Sequence, residues 1–222
     1  MGDVAVVCGG GGALGGAIVA ALLGRGDRVV EVDLAVRCDA SDEVRRETAD
    51  LTSADAVAGL WDRLEAEGWS PRWVVNAAGG FRPGRVSESE PDGLRFVEKL
   101  NLETAWWSCR EAARRLPPGG AVVNVGSRSG VEGGAGSAAY SVAKAGVIRL
   151  TEVLAADLSE RRVRVNAVLP SVIDTPANRE SMSPDALRKA VPPADIASVI
   201  AFLLSDAAGA VTGAIVPVYG VG

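Results

Sequence analysis

The chain has 222 residues, 48% of them apolar, with 23 Lys and Arg against 28 Asp and Glu for a net charge of −5. That length suits one α/β domain whose core needs no disulfides. A mildly acidic chain with no dense basic run is unsuited to gripping nucleic-acid phosphates, so no such partner is expected. There is no histidine, which excludes Ser-His-Asp and Cys-His catalysis and every His-bearing metal site. Cys8, Cys38 and Cys109 are odd in number and form no Cys-x-x-Cys. Neither a disulfide framework nor a metal site is expected, and reduced thiols in the cytoplasm fit best. Residues 4–24 are uncharged, yet Asp3 replaces the basic flank of a signal peptide and the glycines at 9–12 weaken any helix, so no membrane span is expected. Val6 stands where N-myristoylation needs Ser or Thr.

In chain order, a β-branched run at residues 4–7 leads into Cys8-Gly9-Gly10-Gly11-Gly12-Ala13-Leu14-Gly15-Gly16, and a helical pattern follows at 14–23. Strand, glycine turn and helix make a receptor for a diphosphate. Glycines let the backbone turn tightly and let phosphate oxygens approach, and the helix N-terminus offers free N–H groups and partial positive charge. The second strand, 28–32, runs to Asp33, 18 residues after Gly15. A carboxylate there accepts hydrogen bonds from adenosine ribose hydroxyls and repels a 2′-phosphate. NAD(H) is therefore preferred; NADP(H) stays possible because Arg37 is placed to meet that phosphate.

A weaker strand ends at Asp50, and a helix capped by Ser53 covers 54–67. Then come a strand at 73–75, a long helix at 94–116, a strand at 121–125, a helix at 138–158, a strand at 163–168, a helix at 196–204 and a strand at 215–218. Apolar strands alternating with helices predict a Rossmann-type, doubly wound α/β fold. About seven parallel strands, helices on both faces and one domain over residues 1–222 are expected. Residues 171–193, with Pro176, Pro184, Pro192 and Pro193, read as a short irregular loop over a site.

Tyr140 and Lys144 are four residues apart in a helical pattern and so share a face. A nearby ammonium is expected to draw a phenol down from about pKa 10 toward neutrality and make it a proton donor and acceptor. Two residues at this spacing are more often mere neighbours. The chain has only two tyrosines, however, and this one follows Ser127 by 13 residues.

Taken together, these motifs resemble the classical short-chain dehydrogenase/reductase family over nearly the whole chain. The glycine turn resembles Thr-Gly-x-x-x-Gly-x-Gly, with Cys8 at the Thr and Ala13 at the middle Gly. Asp50-Leu51 resembles the pair beside the adenine. Asn76-Ala77-Ala78-Gly79 is similar to the family's Asn-Asn-Ala-Gly, and Asn101 opens an Asn-Leu. Ser127, Tyr140 and Lys144 match Ser…Tyr-x-x-x-Lys. Residues 166–170, ending at Pro170, and Thr175 resemble the segment flanking the nicotinamide, with Ser171 for the usual Gly.

The resemblance implies an NAD(P)-dependent oxidoreductase moving hydride between the nicotinamide and a small ketone or secondary alcohol. Tyr140 would be the general acid/base, Ser127 would orient the substrate oxygen, Lys144 would also hold the nicotinamide ribose, and Asn101 would hold a water. Gly9, Gly12, Ala13, Leu14, Gly15, Asp33, Asp50, Leu51, Asn76, Ala78, Gly79, Pro170, Val172 and Thr175 are the expected cofactor contacts. Phe81, Arg128, Val172, Asn178 and Met182 are the expected substrate contacts. Relatives imply a homodimer or homotetramer through the helices carrying Asn101 and Tyr140.

A narrower resemblance, to dihydropteridine reductases, rests on Gly-Gly-Ala-Leu-Gly, Ala78-Gly79-Gly80 before Phe81, and the run Asp174-Thr175-Pro176-Ala177-Asn178-Arg179. Ser127 departs from it. A non-catalytic dinucleotide sensor on the same fold is the third alternative.

Overall fold

The structure, a computed structural model, describes residues 2–35 and 43–220; Arg37 and Cys38 lie outside them. One sheet holds β1 (Val4–Cys8), β2 (Arg28–Asp33), β3 (Val44–Thr48), β4 (Pro71–Asn76), β5 (Ala121–Val125), β6 (Arg164–Pro170) and β7 (Ile215–Val218). Its spatial order is β3-β2-β1-β4-β5-β6-β7, and every neighbouring pair is parallel. The chain adopts the doubly wound sheet its alternating pattern predicts.

The described helices are α1 (Ala13–Gly24), α2 (Ala54–Ala66), α3 (Pro91–Glu98), α4 (Thr104–Arg115), α5 (Ala138–Asp157), α6 (Pro176–Ser181), α7 (Pro184–Leu187) and α8 (Pro193–Leu204). Successive strand side chains point to opposite faces. Val4, Val6 and Cys8 therefore join a core with Leu60, Trp61 and Leu64 of α2 and Leu154 of α5. Ala5 and Val7 join the opposite core, with Ile18 and Leu22 of α1 and Ile196, Ile200 and Leu204 of α8. Burying both faces explains why β1 and β5 are apolar at nearly every position.

Two expectations are corrected. The helix expected at 94–116 is interrupted by a π-helical turn, Lys99–Glu103, between α3 and α4. Asn101 Nδ2 donates to Val97 O at 3.0 Å, taking the acceptor four residues back that a regular helix gives to the main-chain N–H. The stretch 171–193, expected to be irregular, folds into α6 and α7. Pro176 and Pro184 sit in their first turns, where a missing N–H costs nothing, and the hydroxyls of Thr175 and Ser183 cap them.

Candidate active site

The strand order reverses between β1 and β4, and the crevice at their carboxyl ends is where such sheets bind ligands. A cleft of about 460 Å³ opens there. The glycine turn forms one wall. Gly9 has φ +84°, and a Cβ on it would stand 2.6 Å from the backbone of Ala78; a Cβ on Gly15 would stand 2.0 Å from Gly9 O. Only glycine lets β1, β4 and α1 converge this closely. No side chain caps α1, so its first-turn N–H groups are left to the cleft that Gly12, Ala13, Leu14 and Gly15 line. Ala13, at the position where the family pattern has Gly, is exposed.

An adjoining hollow of about 180 Å³ holds Asp33, Asp50, Leu51 and Ala78, together with Gly9 and Gly79. Asp33 is fixed by the N–H groups of Gly11 (3.1 Å) and Leu34 (2.7 Å). Hydrogen bonds from the Thr52 hydroxyl and N–H hold the Asp50 carboxyl below its ordinary pKa. The glycine cradle, the uncapped helix and a carboxylate at the end of β2 fit a dinucleotide.

The other wall carries Ser127, Tyr140 and Lys144. Ser127 follows β5 and begins a short 3-10 turn, its Oγ accepting the Ser129 N–H at 3.2 Å. That turn meets α5 at Gly130, where a Cβ would stand 2.9 Å from the backbone of Lys144. The close approach sets α5 directly over the Ser127 turn and brings the Tyr140 hydroxyl beside the Ser127 side chain. Burial raises the Tyr140 pKa, and the neighbouring Ser127 hydroxyl partly offsets that.

The expected acidification by Lys144 is therefore corrected. Its Nζ lies 5.9 Å from the Tyr140 ring centroid and donates to Val125 O at 2.9 Å. Burial pushes Lys144 itself down to about 8. Gly79 fits between Lys144 and Asn101: a Cβ on it would come within 2.7 Å of Asn101 Oδ1 and 3.3 Å of Lys144 Nζ. Asn101 Nδ2 is spent on Gly80 O and Val97 O, and Oδ1 accepts the Gly80 N–H. One Oδ1 lone pair remains.

Most expected site residues meet at these cavities. Pro170 and Thr175 line the main cleft. Phe81, Arg128, Asn178 and Met182 line an outer cavity of about 510 Å³ that also reaches Ser127 and Tyr140. Two expectations fail. The Asn76 side chain turns into the core, where Nδ2 donates to Asn124 Oδ1 at 2.8 Å and to Cys109 Sγ at 3.4 Å, and it lines none of these cavities. Val172 lines the outer cavity, while Ile173 faces the main cleft as well. Ala77, Gly126 and Glu132 were not foreseen. Ala77 and Gly126 sit just past strand ends, a position that itself marks such a crevice; Glu132 left no sequence signal.

A doubly wound sheet with a glycine-turn cleft facing a Ser-Tyr-Lys set defines a dinucleotide-dependent oxidoreductase. The sequence profile of the family described as "Enoyl-(Acyl carrier protein) reductase" matches residues 12–220. Cis-4-hydroxycyclohexanecarboxylate dehydrogenase of Sinomonas cyclohexanicum is 35% identical, over 98% of this chain and 95% of that protein. A Serratia marcescens short-chain dehydrogenase/reductase superposes with a TM-score of 0.90 at 27% identity, covering 98% of this chain and 96% of that one. A blue fluorescent protein from a metagenomic library, solved in complex with NADPH, gives 0.89 at 26% identity, covering 99% and 97%. The chain belongs to the short-chain dehydrogenase/reductase family. It is an oxidoreductase acting on CH–OH and C=O groups with a nicotinamide cofactor. These relatives favour neither the dihydropteridine-reductase nor the sensor alternative.

Proposed function

We propose that the chain uses NAD(H) to interconvert a small ketone and its secondary alcohol, with Tyr140 giving and taking the proton. The observation that carries this reading is one cleft lined at one end by the glycine turn and at the other by Ser127, Tyr140 and Lys144. A nicotinamide dinucleotide, when bound, supplies or accepts the hydride. The chain's own residues do the rest. Gly9, Gly12, Ala13, Leu14 and Gly15 receive the diphosphate. Asp33 takes the adenosine ribose hydroxyls and disfavours a 2′-phosphate. Asp50, Leu51 and Ala78 flank the adenine, and Gly79, Pro170 and Thr175 lie toward the nicotinamide.

Ser127 orients the substrate oxygen beside the Tyr140 hydroxyl. Because burial raises the phenol's pKa, Tyr140 carries at neutral pH the proton that reduction consumes. Lys144 holds the nicotinamide ribose, and the free lone pair of Asn101 Oδ1 holds a water on its far side. Phe81, Arg128, Val172, Asn178 and Met182 surround the substrate, with Asn178 supplied by α6. The test is a ketone and alcohol panel followed at the nicotinamide absorbance, with NADH beside NADPH. Turnover with NADH preferred is expected; tight NADH binding with no turnover across the panel contradicts the reading.

We also propose a cytoplasmic homodimer or homotetramer. No described helix is long and apolar enough to cross a membrane, and Cys8 and Cys109 are free buried thiols. Trp106 on α4 and Val142 and Val153 on α5 expose apolar surface on the two helices expected to pair. Sedimentation at micromolar concentration should find the oligomer; monomer alone contradicts it.

A further inference from the structure

We propose that the substrate carries a carboxylate, received by the two Nη groups of Arg128 in the cavity it shares with Ser127 and Tyr140. The inference rests on the oxidoreductase reading above and names the class of its substrate. Arg128 and Glu132 are the charged residues of that cavity. Arg128 Nε donates to Glu132 Oε2 at 2.7 Å, and no described residue hydrogen-bonds to either Nη. The guanidinium lies over the Tyr219 ring, 5.0 Å from its centroid. The contact with Tyr219 steadies the guanidinium, and its Nη edge has no hydrogen-bond partner among the described residues. Two parallel N–H donors at such an edge match the two oxygens of a carboxylate.

Arg179, on α6, is ruled out by the same reasoning. Its Nε and Nη2 hold the two oxygens of Asp174 at 2.5 and 2.7 Å, so its fork is filled. Phe81, Val172, Ile173 and Met182 give the same cavity its apolar lining, beside the polar Ser129, Ser171 and Asn178. Phe81 meets the Tyr140 ring edge-on at 5.2 Å. The cavity thus brings together hydroxyls for the carbonyl, hydrocarbon for the body of the substrate and a guanidinium for a carboxylate. Glu132 offsets part of the Arg128 charge, so a monoanion meets less repulsion there than a phosphate dianion.

The test compares kcat/KM with NADH for 4-oxopentanoate and 4-oxocyclohexanecarboxylate, each against its methyl ester. Wild-type protein, Arg128→Gln and Arg128→Lys are measured at pH 7 and low salt. The wild type is expected to prefer each acid by about tenfold or more, the scale of a hydrogen bond to a charged group. In Arg128→Gln the acid-to-ester ratio should fall to near one, through KM for the acid. Arg128→Lys should keep part of the preference, having the charge without the fork. A wild-type ratio near or below one, or a preference that survives Arg128→Gln, overturns the proposal while the esters still report an active reductase. If neither acid nor ester is turned over while other ketones of the panel are, the proposal is overturned and the oxidoreductase reading stands; if no ketone or alcohol is turned over, both fail.

Discussion

Lys144 Nζ donates to the carbonyl oxygen of Val125 at 2.9 Å, so the last residue of β5 tethers the amine one helical turn beyond Tyr140. This single bond sets Lys144 at the floor of the cleft, where burial pushes it from 10.5 to about 8. The unfolded chain keeps that proton up to about pH 10.5 and the folded protein only to about 8. Stability from this group therefore rises between those pH values, and the burial penalty is fully present below pH 8. Lys144→Met is expected to raise the unfolding free energy at pH 7 by up to about 3 kcal/mol, less the lost Val125 bond, while turnover collapses. Urea unfolding of both proteins from pH 7 to 10 should show the variant's advantage shrinking as pH rises. An advantage that grows with pH contradicts this assignment.

Asp33 holds its carboxylate at the mouth of the adenosine hollow through the N–H groups of Gly11 and Leu34. Asp33→Asn keeps the shape and removes the charge. The ratio of kcat/KM for NADPH to that for NADH should rise by about tenfold or more, as the repulsion of the 2′-phosphate disappears. An unchanged ratio assigns the preference elsewhere.

Thr151 connects the sheet to the catalytic helix. Its hydroxyl accepts from Asn124 Nδ2 at 2.9 Å and donates to Val147 O at 2.8 Å, one turn from Lys144 on α5. Thr151→Val keeps the volume but strands the buried Asn124 amide. It should lower the unfolding free energy by about 1–3 kcal/mol, with Thr151→Ser near wild type. Thermal unfolding that cannot tell Val from Ser at this position rejects the bond.

Burial pushes the Cys8 thiol up to about 11 and Cys109 up to about 12. Mass spectrometry after iodoacetamide at pH 8 should find both unmodified in native protein and both alkylated in guanidinium. Native alkylation of either one would show that the core opens readily.

The sheet was legible because alternating apolar runs and helices admit few other folds, and the glycine turn was legible because its glycines stand where Cβ atoms cannot. Side-chain direction was less so. Asn76 pairs with Asn124 across β4 and β5, and strand parity sends both into the α4–α5 layer instead of the crevice. The break around Asn101 depends on a side chain capturing Val97 O, which no periodicity records. Pro176 and Pro184 were read as breakers, although a proline behind a Thr or Ser cap starts a helix as readily as it ends one. The Arg128–Glu132 pair, four residues apart outside any long helix, became visible only in three dimensions.

The Tyr140 hydroxyl, beside Ser127 in the cleft shared with the glycine turn, is the centre of this account. Its most direct test is kcat for NADH-dependent ketone reduction by Tyr140→Phe, with NADH affinity measured by fluorescence on the same preparation. The account predicts that kcat falls by about 10²–10⁴-fold while NADH still binds. A variant that keeps wild-type kcat would contradict it.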